Sequence, residues 1–248
     1  MKGEEVSIRG MVVSYSPYSE DSAVCSLATD EGIVPLLLSH VFRPKSQLKP
    51  LLLVGSEANV LATKRSKGPY QAKQAEVVVD ASSCLTSLSK SAFLLFLQEI
   101  AQKLFSYGDR FPYAEVSRII SSLLGKGDVL SLSLLFLGAI YRSLGIEIET
   151  SCCVRCKKTK DIVTFSLQEG GFLCHDCIKE VDGGRKNALV LYVLKYAFLA
   201  PDDALLSKSV PALQGREVLL VLADYLASYF DLKPFKSLSF LLQQCRDN

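Results

Sequence analysis

Short runs of apolar residues separated by turn residues fill the first eighty or so positions of the chain. They lie at residues 6–13, 23–29, 33–38, 51–63 with a break near Gly55, and 76–79. Such runs predict β-strands, and Asp30-Glu31-Gly32 predicts a three-residue hairpin loop between the second and third. Five or six short strands predict a small closed barrel, because an open sheet would expose its edges. An OB-type barrel is the leading interpretation, with an SH3-like barrel as the alternative.

The apolar period changes to that of an α-helix after Asp80. Three helices are predicted: one stopping at Gly108, one beginning near Pro112, and one capped at its start by Asp128. The helical period returns around residues 191–198 and 219–229. The chain is therefore predicted to be an α+β protein, with an N-terminal OB-fold β-barrel followed by an α-helical domain.

Two CxxC motifs interrupt the predicted helical domain. They read Cys153-Val154-Arg155-Cys156 and Cys174-His175-Asp176-Cys177, with two short strands predicted between them at residues 162–166 and 170–173. Two such turns can place four thiolates around one zinc ion, and four protein ligands leave no open position for water or substrate. We therefore predict a zinc ribbon that holds one structural Zn²⁺. Two disulfides, a redox CxxC, or replacement of a ligand by His175 or Cys152 are the alternatives.

These patterns divide the chain into four predicted segments. They are an OB-fold DNA-binding domain at 1–80, a first helical part at 81–150, the four-cysteine insert at 151–181, and a C-terminal helical part at 182–248. An insert of about thirty residues buries too little surface to be stable alone. We therefore expect the zinc ion to serve folding.

Composition and missing motifs exclude several classes of protein. The 248 residues are 49% apolar and 22% charged, which is typical of a globular protein. The longest apolar runs, 129–141 and 188–200, are too short to span a bilayer, and no signal peptide is visible, so we expect a cytoplasmic protein without a membrane partner. No phosphate-binding loop and no zinc-deaminase motif are present, and His40 is interpreted as a loop residue, so we expect no enzymatic activity.

Positive charge is concentrated in one part of the predicted barrel. The net charge is only +2, yet residues 41–75 contain seven Lys or Arg and the single acid Glu57. A basic groove with aromatic residues is typical of barrels that bind single-stranded nucleic acid, although a solvated face would look similar. The interleaved aromatics are Tyr15, Tyr18, Phe42 and Tyr70. The predicted DNA contacts are Arg9, Arg43, Lys45, Lys49, Lys64, Arg65 and Lys67.

The predicted ribbon carries positive charge of its own. Its cations are Arg155, Lys157, Lys158 and Lys160. Four thiolates around a divalent ion carry excess negative charge, so these side chains either stabilise the thiolates or contact phosphate. The sequence leaves both roles open.

The whole arrangement resembles the RecO family of bacterial recombination mediators over nearly the entire chain. The resemblance rests on Arg9-Gly10-Met11-Val12, Tyr18-Ser19-Glu20-Asp21, Arg43-Pro44-Lys45-Ser46 and the closing segment Phe235-Lys236-Ser237-Leu238. It implies a non-enzymatic, nucleoid-associated protein of DNA repair and recombination, acting after DNA damage in the RecF pathway. Its OB fold would bind single- and double-stranded DNA and anneal complementary strands. The implied partners are RecR and the C-terminal tail of the single-strand-binding protein and, indirectly, RecA, which is loaded at gaps.

The chain departs from this family where its basic stretch begins. Many members carry a glycine- and arginine-rich run before the Lys-Ser pair, whereas this chain has Ser39-His40-Val41-Phe42. This side of the groove is less basic, so weaker or differently placed DNA binding is expected. The competing hypothesis is a zinc-ribbon adaptor that binds only proteins, with its basic patch exposed to solvent.

Overall fold

The structure is a computed structural model that describes residues 4–178 and 184–245. The chain separates into two compact units, Met1–Leu124 and Gly125–Asn248. The predicted end of the cysteine insert at residue 181 lies outside the described residues. In the described part of the chain, no helix combines the length and hydropathy needed to cross a membrane.

The first unit is built on a closed five-stranded barrel. Its strands are β1 (Glu5–Pro17), β2 (Ala23–Thr29), β3 (Gly32–Leu38), β4 (Glu57–Thr63) and β5 (Tyr70–Val79). They follow the order β1-β2-β3-β5-β4, and β3 runs parallel to β5, with Leu36 opposite Tyr70. Strand β1 pairs with β4 from Glu5 to Met11 and with β2 from Met11 to Pro17, and the second pairing contains a register shift between Val12 and Ser14. This order identifies the OB fold and excludes the SH3-like alternative.

The structure corrects the predicted strand bounds at three places. The apolar run that starts at Leu51 was expected to be strand, but its beginning is a 3-10 helix, Lys49–Leu52, because Pro50 favours the first turn of a helix. Strand β5 begins at Tyr70 rather than near residue 76, since the polar residues Gln71, Lys73 and Gln74 hide its first half from an apolar pattern. Strand β1 extends to Pro17, because Ser14 and Ser16 interrupt the apolar run in the same way.

A short 3-10 helix, Ser82–Thr86, and two α-helices complete the first unit. Helix α1 (Leu88–Leu104) and helix α2 (Tyr113–Leu124) both contact β1. One apolar face of α1 is buried, with Phe93 and Phe96 fully inaccessible. These helices therefore group with the barrel, while the segment boundaries predicted at residues 80 and 150 stay predictions.

The second unit is helical, with the cysteine ribbon inserted. It contains α3 (Val129–Ser143), β6 (Ile162–Ser166), β7 (Gly171–Cys174), α4 (Ala188–Ala197), α5 (Asp203–Leu206), α6 (Ala212–Tyr229) and α7 (Lys236–Gln244). The predicted cap is present, since the Asp128 carboxylate accepts from the Ser131 amide at 2.9 Å.

Helix α3 is the centre of this unit. It is buried along nearly its whole length, and its Tyr141 hydroxyl donates to the Leu222 carbonyl of α6 at 2.7 Å. Gly138 allows α4 to approach closely, because a Cβ at this position would lie 1.8 Å from the Ala197 carbonyl oxygen. The chain thus forms an α+β protein with an N-terminal barrel, as predicted.

Candidate metal centre and nucleic-acid interface

Two tight turns bring the four predicted cysteine ligands together. In the first turn, the Lys157 amide donates to the Cys153 carbonyl at 2.8 Å, and Lys157 takes a left-handed backbone conformation with φ of +63°. In the second, the amides of Cys177 and Ile178 both donate to the Cys174 carbonyl at 3.1 Å. Each CxxC motif therefore folds back on its first cysteine and presents both sulfurs on one side.

The four sulfurs fit a single metal ion. The Sγ atoms of Cys153, Cys156, Cys174 and Cys177 all lie within 4.8 Å of one another, and those of Cys156 and Cys174 are 3.5 Å apart. A tetrahedral zinc site with Zn–S bonds of about 2.3 Å has sulfurs about 3.8 Å apart. The cluster therefore matches the dimensions of a four-thiolate site that could hold one ion.

The chemistry of these thiols also favours a cation. Burial disfavours the charged form of Cys153, but backbone amides that point at its sulfur outweigh burial and lower its pKa to about 6. Hydrogen bonding with Cys156, followed by burial, raises the pKa of Cys177 to about 12. Four thiolates cannot share this space without a positive charge among them, and a divalent ion supplies that charge.

The ribbon is anchored through the start of its second strand. The Phe172 amide donates to the Glu149 carbonyl at 3.0 Å, and the Val154 amide donates to the Phe172 carbonyl at 2.9 Å. Gly171 is required between these contacts, because its φ is +154° and a Cβ would lie 2.3 Å from the Glu149 carbonyl oxygen. The turns are therefore held by backbone contacts as well as by their sulfurs.

Two of the ribbon's cations are engaged within the ribbon. Arg155 Nε donates to the Glu169 carboxylate at 2.7 Å. Its Nη1 donates to the Cys177 carbonyl. Lys158 pairs with Asp176 at 2.5 Å, and this hydrogen bond raises the pKa of Lys158. These contacts favour a role in stabilising the ribbon over contact with phosphate.

The alternative ligands lie outside the sulfur group. Neither Cys152 nor His175 belongs to it, and the His175 ring instead lies 3.0 Å from the Arg185 guanidinium. Cys25 and Cys84 are fully buried, as expected for thiols that act as small apolar residues.

The loop between β4 and β5 carries three of the predicted DNA contacts. Lys64, Arg65 and Lys67 are all exposed, and the loop runs directly into Tyr70 at the start of β5. In OB folds this loop and the β1–β2 loop flank the surface that binds oligonucleotides. The placement of these cations is therefore compatible with a DNA interface.

Three further predicted contacts lie on the connection between β3 and β4. Arg43, Lys45 and Lys49 are exposed there, and the Lys49 ammonium donates to the Pro44 carbonyl at 3.0 Å. The Arg43 guanidinium lies 3.2 Å from the Asp21 carboxylate, which belongs to the β1–β2 loop. Arg43 therefore connects this segment to a loop that OB folds use for binding.

The seventh predicted contact, Arg9, lies on β1 beside a buried acid. Its guanidinium is 4.0 Å from Glu57, which also accepts from the Tyr113 hydroxyl at 3.3 Å. Arg9 and Lys64 line one cavity of about 420 Å³ that also contains Asp30. Acidic side chains therefore offset part of the positive charge around Arg9.

The short parallel pairing of β3 with β5 joins the two segments that carry these cations. Leu36 lies opposite Tyr70, and the Gln71 side chain donates to the Ser39 hydroxyl at 3.2 Å. The β4–β5 loop therefore enters this strand pair at Tyr70, and the segment that begins at Ser39 leaves it beside Gln71.

The predicted aromatic residues differ in exposure. Tyr18 in the β1–β2 loop is 71% exposed and Phe42 is 39% exposed, whereas Tyr15 and Tyr70 are partly buried. Tyr18 is thus the ring most accessible for stacking on a base.

Sequence reasoning missed the contacts of Asp21 and His40. Asp21 accepts from Arg43, Ser22 and the His40 ring, although it lies far from Arg43 and His40 along the chain. The hairpin pairing of Ala23 with Leu38 brings these segments together. No local motif signals such a contact, because it depends on strand register.

Comparison with known proteins gives consistent matches. A family model described as "Recombination protein O C terminal" matches residues 85–239. A DNA repair protein RecO from Lactobacillus delbrueckii subsp. bulgaricus is 28% identical over 189 residues, which cover 73% of this chain and 74% of that protein. The RecO of Halalkalibacterium halodurans is 26% identical, covering 69% and 68%, and that of Syntrophomonas wolfei is 25% identical, covering 71% of both chains.

Proposed function

Because this chain belongs to the RecO family of DNA repair proteins, we propose that it acts as a recombination mediator whose barrel binds single- and double-stranded DNA. The observation that carries the proposal is the β4–β5 loop of an OB fold, with Lys64, Arg65 and Lys67 exposed on it. Such loops neutralise the DNA backbone, while an exposed ring such as Tyr18 stacks on a base. Neutralised phosphates would allow a complementary strand to approach and anneal.

The test of DNA binding is a titration of a labelled single-stranded oligonucleotide over a salt series. Affinity should fall steeply with salt, because each phosphate contact releases counterions. Neutralising Lys64, Arg65 and Lys67 to Gln should reduce both the affinity and the salt slope. A control with the same charge change, K126Q/K195Q/K208Q at exposed positions of the second unit, should bind like the unaltered protein. If both variants bound DNA equally well, the β4–β5 loop would not be a DNA contact.

The second basic segment needs a separate variant. Replacing Arg43, Lys45 and Lys49 together by Gln should also weaken binding, and the same titration measures it. If affinity were unchanged, the assignment of this segment would be wrong. Arg9 completes the proposed set of contacts.

We further propose that the sulfur cluster holds one Zn²⁺ with a structural role. Four thiolates fill a tetrahedral coordination sphere and leave no position for a reacting water, which supports a binding protein over an enzyme. The proposed residues are Cys153, Cys156, Cys174 and Cys177. Metal analysis of the purified protein, expected to show one zinc per chain, tests the assignment.

The proposed partners are RecR, the C-terminal tail of the single-strand-binding protein and, indirectly, RecA. They are proposed from membership of the family, and a protein with this role would work in the bacterial cytoplasm at the nucleoid. Annealing of complementary strands coated with single-strand-binding protein tests both activity and partner. The rate should fall when the last residues of the tail are removed, and an unchanged rate would argue against binding of the tail.

The second candidate function is a zinc-ribbon adaptor that binds proteins without contacting DNA. It is favoured by a groove of about 950 Å³ in the second unit, between the β6–β7 turn and α6, where Tyr229 is exposed. The two candidates differ in the salt titration, because an adaptor would give no salt-dependent DNA binding.

A further inference from the structure

A carboxylate on the barrel surface is surrounded by donors from two segments. The Asp21 side chain accepts from Arg43 Nη2 at 3.2 Å and contacts His40 Nδ1 through the same oxygen. Its other oxygen accepts from the hydroxyl groups of Ser22 at 2.8 Å and Ser19 at 3.5 Å. One guanidinium, one imidazole and two hydroxyl groups therefore converge on a single anionic group.

The backbone fixes this arrangement. His40 has a φ of +57°, a left-handed conformation that costs a non-glycine residue free energy and is found where the surrounding structure requires it. The His40 amide donates to the Ser22 hydroxyl, and the Phe42 amide donates to the Asp21 carbonyl, both at 3.3 Å. The backbone that carries the donors is thus held in place by contacts that do not involve the Asp21 carboxylate.

These donors are also the ones that proteins use for phosphate. A phosphodiester, like a carboxylate, presents two anionic oxygens on one central atom, and guanidinium groups bind both. The Arg43 and His40 side chains are 64% and 57% exposed, and that of Asp21 is 35% exposed. Exposed ion pairs contribute little stability, so an incoming anion can displace the carboxylate at small cost.

We propose that Asp21 is an internal substitute for a DNA phosphate, which a backbone phosphate displaces from Arg43 and His40 when DNA binds. The inference rests on the proposed DNA binding and deepens it in two ways. It makes His40 a phosphate contact beyond the seven cations, and it makes Asp21 a competitor that lowers the affinity of the barrel for DNA.

Asp21 offsets the positive charge of the site. Its carboxylate stays ionised near neutrality, because hydrogen bonds from His40 and then Ser22 lower its pKa to about 2. The Arg43 guanidinium therefore meets an anion inside the protein, and a phosphate that displaces Asp21 takes over the same donors.

The first experiment removes the competitor. The full-length protein is titrated at low salt with a labelled single-stranded oligothymidine of roughly 25 nucleotides. Asp21→Asn should bind about threefold to tenfold more tightly than the unaltered protein, because Arg43 loses its internal anion. Glu20→Gln is the matched control, since it makes the same charge change at an exposed neighbour in the same loop. It should change affinity by less than about twofold.

The second experiment removes the His40 donor. His40→Gln should bind the same oligothymidine about threefold more weakly than the unaltered protein, because the phosphate loses the imidazole contact. Thermal unfolding of each variant shows whether the barrel is intact. Because His40→Gln leaves Asp21 in place, it tests the site even if Asp21→Asn does not fold.

The outcomes separate the inference from the function on which it rests. If the unaltered protein binds no DNA at low salt, the proposed function fails. If it binds but Asp21→Asn equals Glu20→Gln or binds more weakly, Asp21 is not a competitor and only the inference is overturned. An affinity of His40→Gln equal to or tighter than that of the unaltered protein would likewise exclude His40 as a phosphate contact.

Discussion

Arg155, in the first cysteine turn, donates from its guanidinium to the backbone carbonyl of Cys177, the last cysteine of the second turn. The same side chain pairs with Glu169 at the β6–β7 turn. Arg155 therefore links both halves of the ribbon and the turn between them, and it is only 22% exposed. This placement identifies a structural side chain within a group that the sequence left open to phosphate contact.

Replacing Arg155 by Gln should destabilise the protein without weakening DNA binding. Hydrogen bonds to charged groups contribute about 1.5–3 kcal/mol, so we expect the free energy of unfolding to fall by about 2 kcal/mol. Urea unfolding measures this loss, and Lys160→Gln, at an exposed position of the same ribbon, is the control with equal charge. A loss of DNA affinity comparable to that of the barrel-loop variant would show instead that Arg155 contacts phosphate.

Replacing Cys153 or Cys174 by Ser should abolish zinc binding and lower stability before it alters DNA contact. Zinc binding is coupled to folding in small metal domains, so we expect the midpoint of thermal unfolding to fall by about 10 °C or more. Zinc content and thermal unfolding are measured together, with Cys152→Ser as the control because Cys152 lies outside the sulfur group. A stable, zinc-free variant that has lost annealing would contradict a purely structural role.

Gly138→Ala should destabilise the second unit although alanine favours helices by about 1 kcal/mol over glycine. The added methyl group would overlap the Ala197 carbonyl of α4, so we expect a net loss of about 3 kcal/mol in the free energy of unfolding. Gly68→Ala is the comparison at a position surrounded by open space, where only the strain of a φ of +85° opposes the methyl group. No loss of stability in Gly138→Ala by urea unfolding would mean that the α3–α4 contact relaxes easily.

Cys25 should make the barrel sensitive to alkaline pH. Burial raises the pKa of Cys25 from 9.0 to about 12, so the folded state holds its proton while the unfolded state loses it. The stability that the protonated Cys25 thiol gives to the folded state is fully present below about pH 9. It is lost as the pH rises toward 12, and the free energy of unfolding then falls by up to about 1.4 kcal/mol per pH unit. Urea unfolding at pH 8, 9 and 10 measures this loss. The free energy of unfolding should decline less steeply with pH in Cys25→Ala than in the unaltered protein.

The matched control for Cys25 is Cys152→Ala, at a partly exposed thiol in the second unit. The quantity compared is the slope of the free energy of unfolding against pH. Its absolute value is not compared, because removing the buried sulfur leaves a cavity that lowers stability at every pH. Identical slopes in all three proteins would show that water reaches Cys25 in the folded state.

Local sequence patterns predicted the features that depend on neighbouring residues. The CxxC spacing identified the four sulfurs because each turn is formed by consecutive residues, and Asp128 identified the start of α3 because a cap acts within one helical turn. Strand β2 was predicted with its observed ends, Ala23 and Thr29, since turn residues flank its apolar run on both sides.

Features that depend on register were not predictable in the same way. The pairing of Arg43 with Asp21 requires the β2–β3 hairpin to close first, and the pairing of Arg9 with Glu57 requires β1 to lie beside β4. Strand β5 was truncated in the prediction because Lys73 and Gln74 face solvent and give no apolar signal. Knowledge of the OB topology supplies these neighbours, whereas composition does not.

The order of the strands has a consequence for how the barrel folds. The barrel closes only when β5 inserts between β3 and β4. The β1–β4 pairing joins Glu5 to Thr63, which are separated by most of the barrel's sequence. Contacts between residues so distant in sequence slow folding, because a long loop must be ordered before they form. During synthesis, the nascent chain cannot complete its barrel until Val79 has left the ribosome.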